Sequence, residues 1–134
     1  MKYRYTEVQK AWLEDLETTH TKQVGGALIK LSEKSNRPAG YCCLGRACVV
    51  MKVPRTGELF RNSEGKSFAG YLAPSVLERL GLTQEGHDRC AEMNDSGKSF
   101  KEIADAIKAK PAFYFGKQPA VAPSGARFAK RSKR

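Results

Sequence analysis

Residues 99–107, SFKEIADAI, are the stretch that decides the fold. Ser99 and Glu102 stand at the spacing of a capping box, in which a hydroxyl and a carboxylate satisfy free amide groups at the start of a helix. The apolar residues that follow share one helical face, and they are Phe100, Ile103, Ala104 and Ile107. The pattern predicts an amphipathic helix that ends before Pro111 and packs into a small globular domain.

Four further helices are predicted from the same kinds of signal: a capping residue or proline at the start, apolar residues at helical spacing, and a glycine or proline at the end. They cover residues 7–17, 42–53, 74–80 and 83–93. Trp12, on the apolar face of the first helix, is interpreted as a core residue. Asn94 and Asp95, which follow the last of the four, are interpreted as turn residues.

Short strands are predicted where aliphatic and β-branched residues lie beside turn signals. One strand lies within 21–32, and a turn-rich stretch then leads to a return strand that enters Tyr41. An exposed loop or hairpin is expected over 55–66, and another short strand within 67–72. Several short helices and a β-hairpin in a chain of this length predict a small single domain of the α+β class.

The charge of the chain is concentrated at its C-terminal end. The 134 residues include 24 Lys and Arg and 14 Asp and Glu, which give a formal net charge of +10. Residues 116–134 hold six of the basic residues and no acidic one, so residues 1–115 carry only +4. We therefore expect a globular domain over 1–115 and a flexible, disordered basic tail over 116–134 that binds polyanions.

The residues expected to contact a nucleic-acid backbone are the basic residues of this tail and one lysine that precedes it. They are Lys110, Lys117, Arg127, Lys130, Arg131, Lys133 and Arg134. The aromatic residues 113–115 could stack on bases if they are exposed. Contacts of this kind depend steeply on salt and carry little sequence selectivity.

Three motifs follow one another along the chain after the helix that contains Trp12. They are GYCCLGRAC at 40–48, LGL at 80–82 and MNDSGKSFKEIADAI at 93–107. Taken together they resemble a family of small uncharacterised proteins that is widespread in tailed-phage genomes, over positions 8–108. The resemblance implies a phage origin and a non-structural accessory role, and it implies no activity. Members of that family usually end near the last helix, so the basic extension after Lys110 departs from the pattern.

Two nucleotide- or DNA-binding motifs are tested against the spacing of the residues. Both GKS tripeptides, at 65–67 and 97–99, lack the glycine that a phosphate-binding loop needs five positions earlier. A helix-turn-helix would need a polar recognition helix after residues 99–107, but Pro111 and Gly116 interrupt that segment. The spacing therefore favours an ordinary capped helix over 99–107.

The cysteines raise the question of a metal site. Cys42, Cys43, Cys48 and Cys90, with His87, could supply zinc ligands, but the chain has no CxxC spacing. Cysteines in apolar helices are more often small buried hydrophobic residues, and in a reducing cytoplasm they stay thiols. No metal or other cofactor is expected.

These observations favour a non-enzymatic accessory protein of phage type that binds DNA, RNA or a nucleoprotein, largely through the basic tail. The alternative is a protein-binding inhibitor of a host enzyme or a host defence complex, and a zinc-stabilised interaction module is a third hypothesis. No catalytic residue is assigned. The longest apolar stretch, 47–51, is too short to span a membrane, so we expect a location in the (host) cytoplasm and no membrane partner.

Overall fold

Helices dominate the architecture. A computed structural model of the chain describes residues 3–35, 37–61, 67–68 and 70–117. Within these residues the helices are α1 (Glu7–Thr18), α2 (Cys43–Val50), α3 (Pro74–Leu80), α4 (Gln84–Asp95), α5 (Phe100–Ala109) and α6 (Pro111–Phe115). The strands are β1 (Ile29–Leu31), β2 (Pro38–Tyr41), β3 (Arg55–Thr56), β4 (Leu59–Arg61) and β5 (Ser67–Phe68). The predicted α+β class is confirmed.

The strands form two small antiparallel sheets. In the first, β1 pairs with β2, with Ile29 opposite Tyr41 and a register irregularity after Lys30. In the second, β4 lies between β3 and β5. The Leu31 amide donates a hydrogen bond to Glu58 Oε2 at 2.9 Å, which joins β1 to the turn between β3 and β4. This bond links the two hairpins.

The strand predicted within 21–32 is confirmed in position but is shorter than its aliphatic sequence indicates. Residues 22–24 make only an isolated bridge to Tyr41, through the bonds Val24 N–H to Tyr41 O and Tyr41 N–H to Lys22 O, each 2.9 Å long. Gly26 then takes a φ of 78°, a left-handed conformation that glycine adopts readily and that interrupts the extended chain. The regular strand begins only at Ile29.

The helix boundaries follow the predicted capping signals closely. Both capping boxes are present, Thr6 with Gln9 and Ser99 with Glu102, and Gly81 ends α3 with a φ of 75°. Two boundaries are wrong: the helix predicted over 42–53 ends at Val50, and α4 continues to Asp95 instead of ending at 93. Asn94 and Asp95 are therefore helical residues rather than turn residues. Their side chains form hydrogen bonds with the backbone of the distant loop that contains Val24 and Gly26.

The core lies between α1, α2, α4 and α5. Trp12 is fully buried, as predicted, and its Nε1 donates to the Cys43 carbonyl at 2.9 Å. The backbone of α2 passes so close to the Leu28 carbonyl that a Cβ at Gly45 would lie 1.8 Å from that oxygen. Among the described residues, no helix has both the length and the apolar character that a membrane crossing requires.

Candidate nucleic-acid interface

The predicted contact residues fall into two groups. Lys110 and Lys117 are exposed and stand at the two ends of α6. The other predicted residues lie outside the described part of the chain, and they are Arg127, Lys130, Arg131, Lys133 and Arg134. The flexible tail is predicted over 116–134, and from residue 118 onward it lies outside the described part of the chain.

The aromatic residues 113–115 form a short helix, α6, that packs mostly inward. Tyr114 is only 4% exposed, and the Phe115 ring contacts the rings of Tyr5 and Trp12. Phe113 is 46% exposed. The exposure that base stacking requires is therefore absent for Tyr114 and limited for Phe115, and Phe113 is the most exposed of the three rings.

Hydrogen bonds to the carbonyl groups of residues 113, 114 and 116 hold α6 in this position. The Thr83 amide donates to the Tyr114 carbonyl at 2.7 Å, and the Thr83 hydroxyl donates to the Phe113 carbonyl at 2.9 Å. The Tyr3 hydroxyl donates to the Gly116 carbonyl at 2.6 Å. These bonds fix residues 113–116 beside the start of α4 and the N-terminal segment.

A second concentration of positive charge lies in the folded body, and the sequence interpretation missed it. Residues 29–61 hold seven basic and two acidic residues, whereas 1–28 and 62–115 together hold eleven basic and twelve acidic ones. The whole positive excess of the body therefore belongs to the segment that forms β1, β2, α2, β3 and β4. The signal that could have found it is the local charge count over this window of the sequence.

Six of these seven basic residues are exposed and define what we call the hairpin surface: Lys30, Lys34, Arg37, Lys52, Arg55 and Arg61. The alternation of side chains along a strand turns Lys30 outward beside buried Ile29, and turns Arg61 outward beside buried Phe60. The seventh, Arg46, is excluded because it forms a two-bond ion pair with Asp15, at 2.7 and 2.8 Å, and lies over the Tyr41 ring.

Lys52 stands out within the hairpin surface through its backbone. Its φ of 57° is the only positive φ of a non-glycine residue in the described part of the chain. The left-handed conformation costs a residue with a side chain about 1–2 kcal/mol relative to glycine. A charged, exposed side chain is thus held at the turn between α2 and β3 in a conformation that glycine would adopt without that cost.

The cysteines are buried and do not converge on one point. Cys42 caps α2, since its Sγ accepts the Gly45 amide, whereas Cys43 Sγ faces the Cys90 carbonyl oxygen. Burial raises the pKa of the Cys42 and Cys48 thiols to about 12. Among the described residues, no three side chains of His, Cys, Asp or Glu lie close enough together to hold a metal ion.

His87 lines an open pocket of about 410 Å³ together with Tyr71, Leu72, Pro74, Leu77, Gln84 and Asp88. Its Nε2 accepts the Leu72 amide at 3.1 Å, so the ring proton is on Nδ1, which lies 3.0 Å from Asp88 Oδ1. Hydrogen bonds from His87 and Gln84 hold the pKa of Asp88 below its usual value. Both ring nitrogens of His87 are therefore already engaged and neither is open to a substrate.

The first and third sequence motifs meet at Asn94, which is 5% exposed. Its Oδ1 accepts hydrogen bonds from the Cys43 amide at 3.0 Å and from Gln23 Nε2 at 2.8 Å, and its Nδ2 donates to the Val24 carbonyl at 2.7 Å. A small adjoining pocket, of about 80 Å³, also includes Asp95. Asn94 thus acts as a structural link between motifs.

Comparison with known proteins yields no relative: no protein-family model, no curated protein and no solved structure matches the chain. The resemblance to small tailed-phage proteins therefore stays a prediction from the motifs.

Proposed function

We propose that this protein is a non-enzymatic nucleic-acid-binding protein whose main contacts come from its basic C-terminal segment. The observation that carries the proposal is the separation of charge along the chain. Residues 116–134 hold six basic residues and no acidic one, whereas the body has 18 basic residues against 14 acidic ones. A segment of this composition binds phosphate groups by displacing their counterions, whatever the base sequence.

The described residues at the start of this segment, and those just before it, support the same function. Lys110 and Lys117 are exposed at the two ends of α6, and the open ring of Phe113 lies between them in the sequence. An exposed ring beside cations can stack on an unpaired base. Because the Tyr3 hydroxyl holds the Gly116 carbonyl, the basic segment starts from a fixed position on the body.

The proposal assigns no catalytic step. Burial keeps the Cys42 and Cys48 thiols protonated near neutral pH, and His87 uses both ring nitrogens in hydrogen bonds. Such groups do not serve as nucleophile or general base in this conformation. Because the motifs resemble those of small tailed-phage proteins, we place the binding activity in the cytoplasm of a phage-infected cell, where DNA and RNA are both accessible.

Fluorescence anisotropy with labelled duplex DNA, single-stranded DNA and RNA tests the proposal. The tail variant carries Lys130→Gln, Arg131→Gln and Lys133→Gln. The control, the helix variant, carries Lys10→Gln, Arg89→Gln and Lys101→Gln, which are exposed cations that already pair with Glu7, Glu92 and Asp105. Each variant loses two lysines and one arginine, so its formal net charge falls from +10 to +7.

We expect the tail variant to bind about tenfold more weakly than the unmodified protein at about 100 mM salt, with a salt slope reduced by about 2 to 3 for duplex DNA. The helix variant should retain affinity within about twofold. Equal affinities of the two variants would contradict a role for the tail. Absence of binding to all three polymers would overturn the function and support the protein-binding alternative.

A further inference from the structure

We propose that the hairpin surface is a second contact site, which binds the phosphate backbone of the nucleic acid that the basic C-terminal segment engages. This inference rests on the proposed function. It gives the folded body a binding role of its own, in addition to the role of the basic tail. The six residues of the hairpin surface, defined above, would place fixed positive charges along the nucleic acid.

The first argument is the pairing state of the cations. Four exposed cations on the helices have carboxylate partners: Lys10 with Glu7, Arg89 with Glu92, Lys101 with Asp105 and Lys108 with Glu17. Arg79, on α3, is exposed and donates instead to the Met51 carbonyl at 3.5 Å. None of the six hairpin-surface cations forms an ion pair with a residue in the described part of the chain. Their charge is therefore available to a polyanion, whereas the charge of the four paired helical cations is partly compensated by a neighbouring carboxylate.

The second argument is rigidity. The hydrogen bond from the Leu31 amide to Glu58 Oε2 holds the turn of one hairpin against the strand of the other. This bond also engages the carboxylate of Glu58, one of the two acidic residues within 29–61. Cations on such a support lose less conformational freedom on binding than cations on a flexible segment.

The third argument is the backbone of Lys52. Lys52 has a φ of 57°, a conformation that glycine would adopt without strain. The end of α2 fixes this conformation, because the Lys52 amide donates to the Val49 carbonyl at 3.1 Å and the Val53 amide donates to the Cys48 carbonyl at 2.9 Å. The Lys52 cation is thereby held at the base of the β3–β4 hairpin. Lys30 and Arg61 are exposed on the two hairpins that the hydrogen bond between Leu31 and Glu58 links.

Together the two sites predict a two-point attachment. Once the tail is bound, the hairpin surface meets the same polymer at a high effective concentration, and each phosphate that it contacts adds about 0.9 to the salt slope on duplex DNA. Loss of the hairpin surface should therefore weaken binding and flatten the salt dependence even though the tail is intact.

The test compares full-length proteins of equal charge on a labelled duplex of about 20 base pairs. The hairpin variant carries Lys30→Gln, Lys34→Gln and Arg61→Gln, and the helix and tail variants described above serve as references. All three have a formal net charge of +7. We expect the hairpin variant to lose about tenfold in affinity at about 100 mM salt and about 2 to 3 in salt slope, and the helix variant to change less than about twofold.

Lys52→Gly provides a readout that a folding defect would not produce. The substitution should leave the melting temperature unchanged or raise it, because the strain is removed, and should still weaken duplex binding about twofold to fivefold. A variant that merely damages the fold would lower both quantities.

The outcomes distinguish a failure of the hairpin site from a failure of the proposed function. If the tail variant weakens binding and the hairpin variant behaves like the helix variant, the proposed function stands and the hairpin site is wrong. Equal losses in the hairpin and helix variants would show an effect of net charge and would also overturn the site. If the unmodified protein binds no duplex DNA, single-stranded DNA or RNA, both proposals fail.

Discussion

Asn94 Oδ1, near the end of α4, accepts a hydrogen bond from the amide of Cys43, the first residue of α2, at 3.0 Å. The first amides of a helix have no partner within it, and Cys43 is fully buried, so water cannot take that place. The Cys43 carbonyl also accepts the Trp12 indole N–H. Cys43, in α2, is thus bonded to Asn94 of α4 and to Trp12 of α1, and so connects three helices.

Removal of the Asn94 side chain should destabilise the protein strongly. Asn94→Ala leaves the Cys43 amide and the Val24 carbonyl without these partners, and each unsatisfied buried group costs about 1–3 kcal/mol. We expect the free energy of unfolding in urea to fall by about 3 kcal/mol. Glu92→Ala, an exposed change on the same helix, should stay within about 0.5 kcal/mol of the unmodified protein. Similar losses in the two variants would contradict the role of Asn94.

The close approach of α2 to the Leu28 carbonyl makes Gly45 irreplaceable. In Gly45→Ala the new Cβ would meet the Leu28 oxygen at 1.8 Å, so one backbone segment must move. We expect a loss of about 3 kcal/mol or more in unfolding free energy, measured by thermal and urea denaturation. In the control, Gly70→Ala, the Cβ meets no atom within 4 Å, and stability should change by less than about 1 kcal/mol. A stable Gly45→Ala protein would show that α2 does not pack in this way.

All four cysteines should be inert while the protein is folded. They are buried free thiols, and burial raises the pKa of Cys42 and Cys48 to about 12, which leaves almost no thiolate at neutral pH. A thiol reagent such as Ellman's reagent, applied at about pH 8, should label none of them quickly in the native protein and four per chain in guanidinium. Rapid labelling of even one native thiol would contradict the packing around α2.

The same thiols predict a loss of stability at alkaline pH. A thiol pKa that is raised in the fold from 9.0 to about 12 means that the unfolded chain ionises first. The stabilisation is therefore complete below about pH 9 and is lost as the pH rises toward 12, at about 1.4 kcal/mol per pH unit for each thiol. We expect the unfolding free energy to fall by about 2 kcal/mol or more between pH 8 and 10.5.

A double variant separates this effect from the titration of tyrosines. Cys42→Ser keeps an oxygen that can cap α2, and Cys48→Ala removes the second ionising group. In the double variant the decline above about pH 9 should be clearly shallower than in the unmodified protein. An identical decline would assign the alkaline transition to other groups.

The features that could be predicted from the sequence depend on neighbouring residues. Ser99 and Glu102 form a capping box through contacts within one helical turn, and Trp12 belongs to a periodic apolar face. Asn94 differs, because an Asn next to Asp, Ser and Gly is typical of a turn. Its actual partner Cys43 lies 51 residues away, and no local pattern indicates that contact.

The candidate interface also has some features that the sequence predicts and others that only the structure shows. The basic composition of 116–134 can be read directly from the sequence. The inward packing of Tyr114 and Phe115 cannot, because a run of aromatic residues has the same appearance whether it packs on a helix or faces water. The hairpin surface is visible in the sequence only as a charge count over 29–61, distributed among strands, turns and a helix.

The sequence by itself therefore determined the helix starts, the small α+β class and the charge of the C-terminal segment, since each depends on residues that are close in the chain or on composition alone. Only the tertiary structure decided that Asn94 completes the start of α2, that the Phe115 ring of α6 contacts Trp12, and that the hairpins carrying Lys30 and Arg61 are linked. These depend on contacts between distant segments, and such contacts are selected by the packing of the whole core rather than by any local preference.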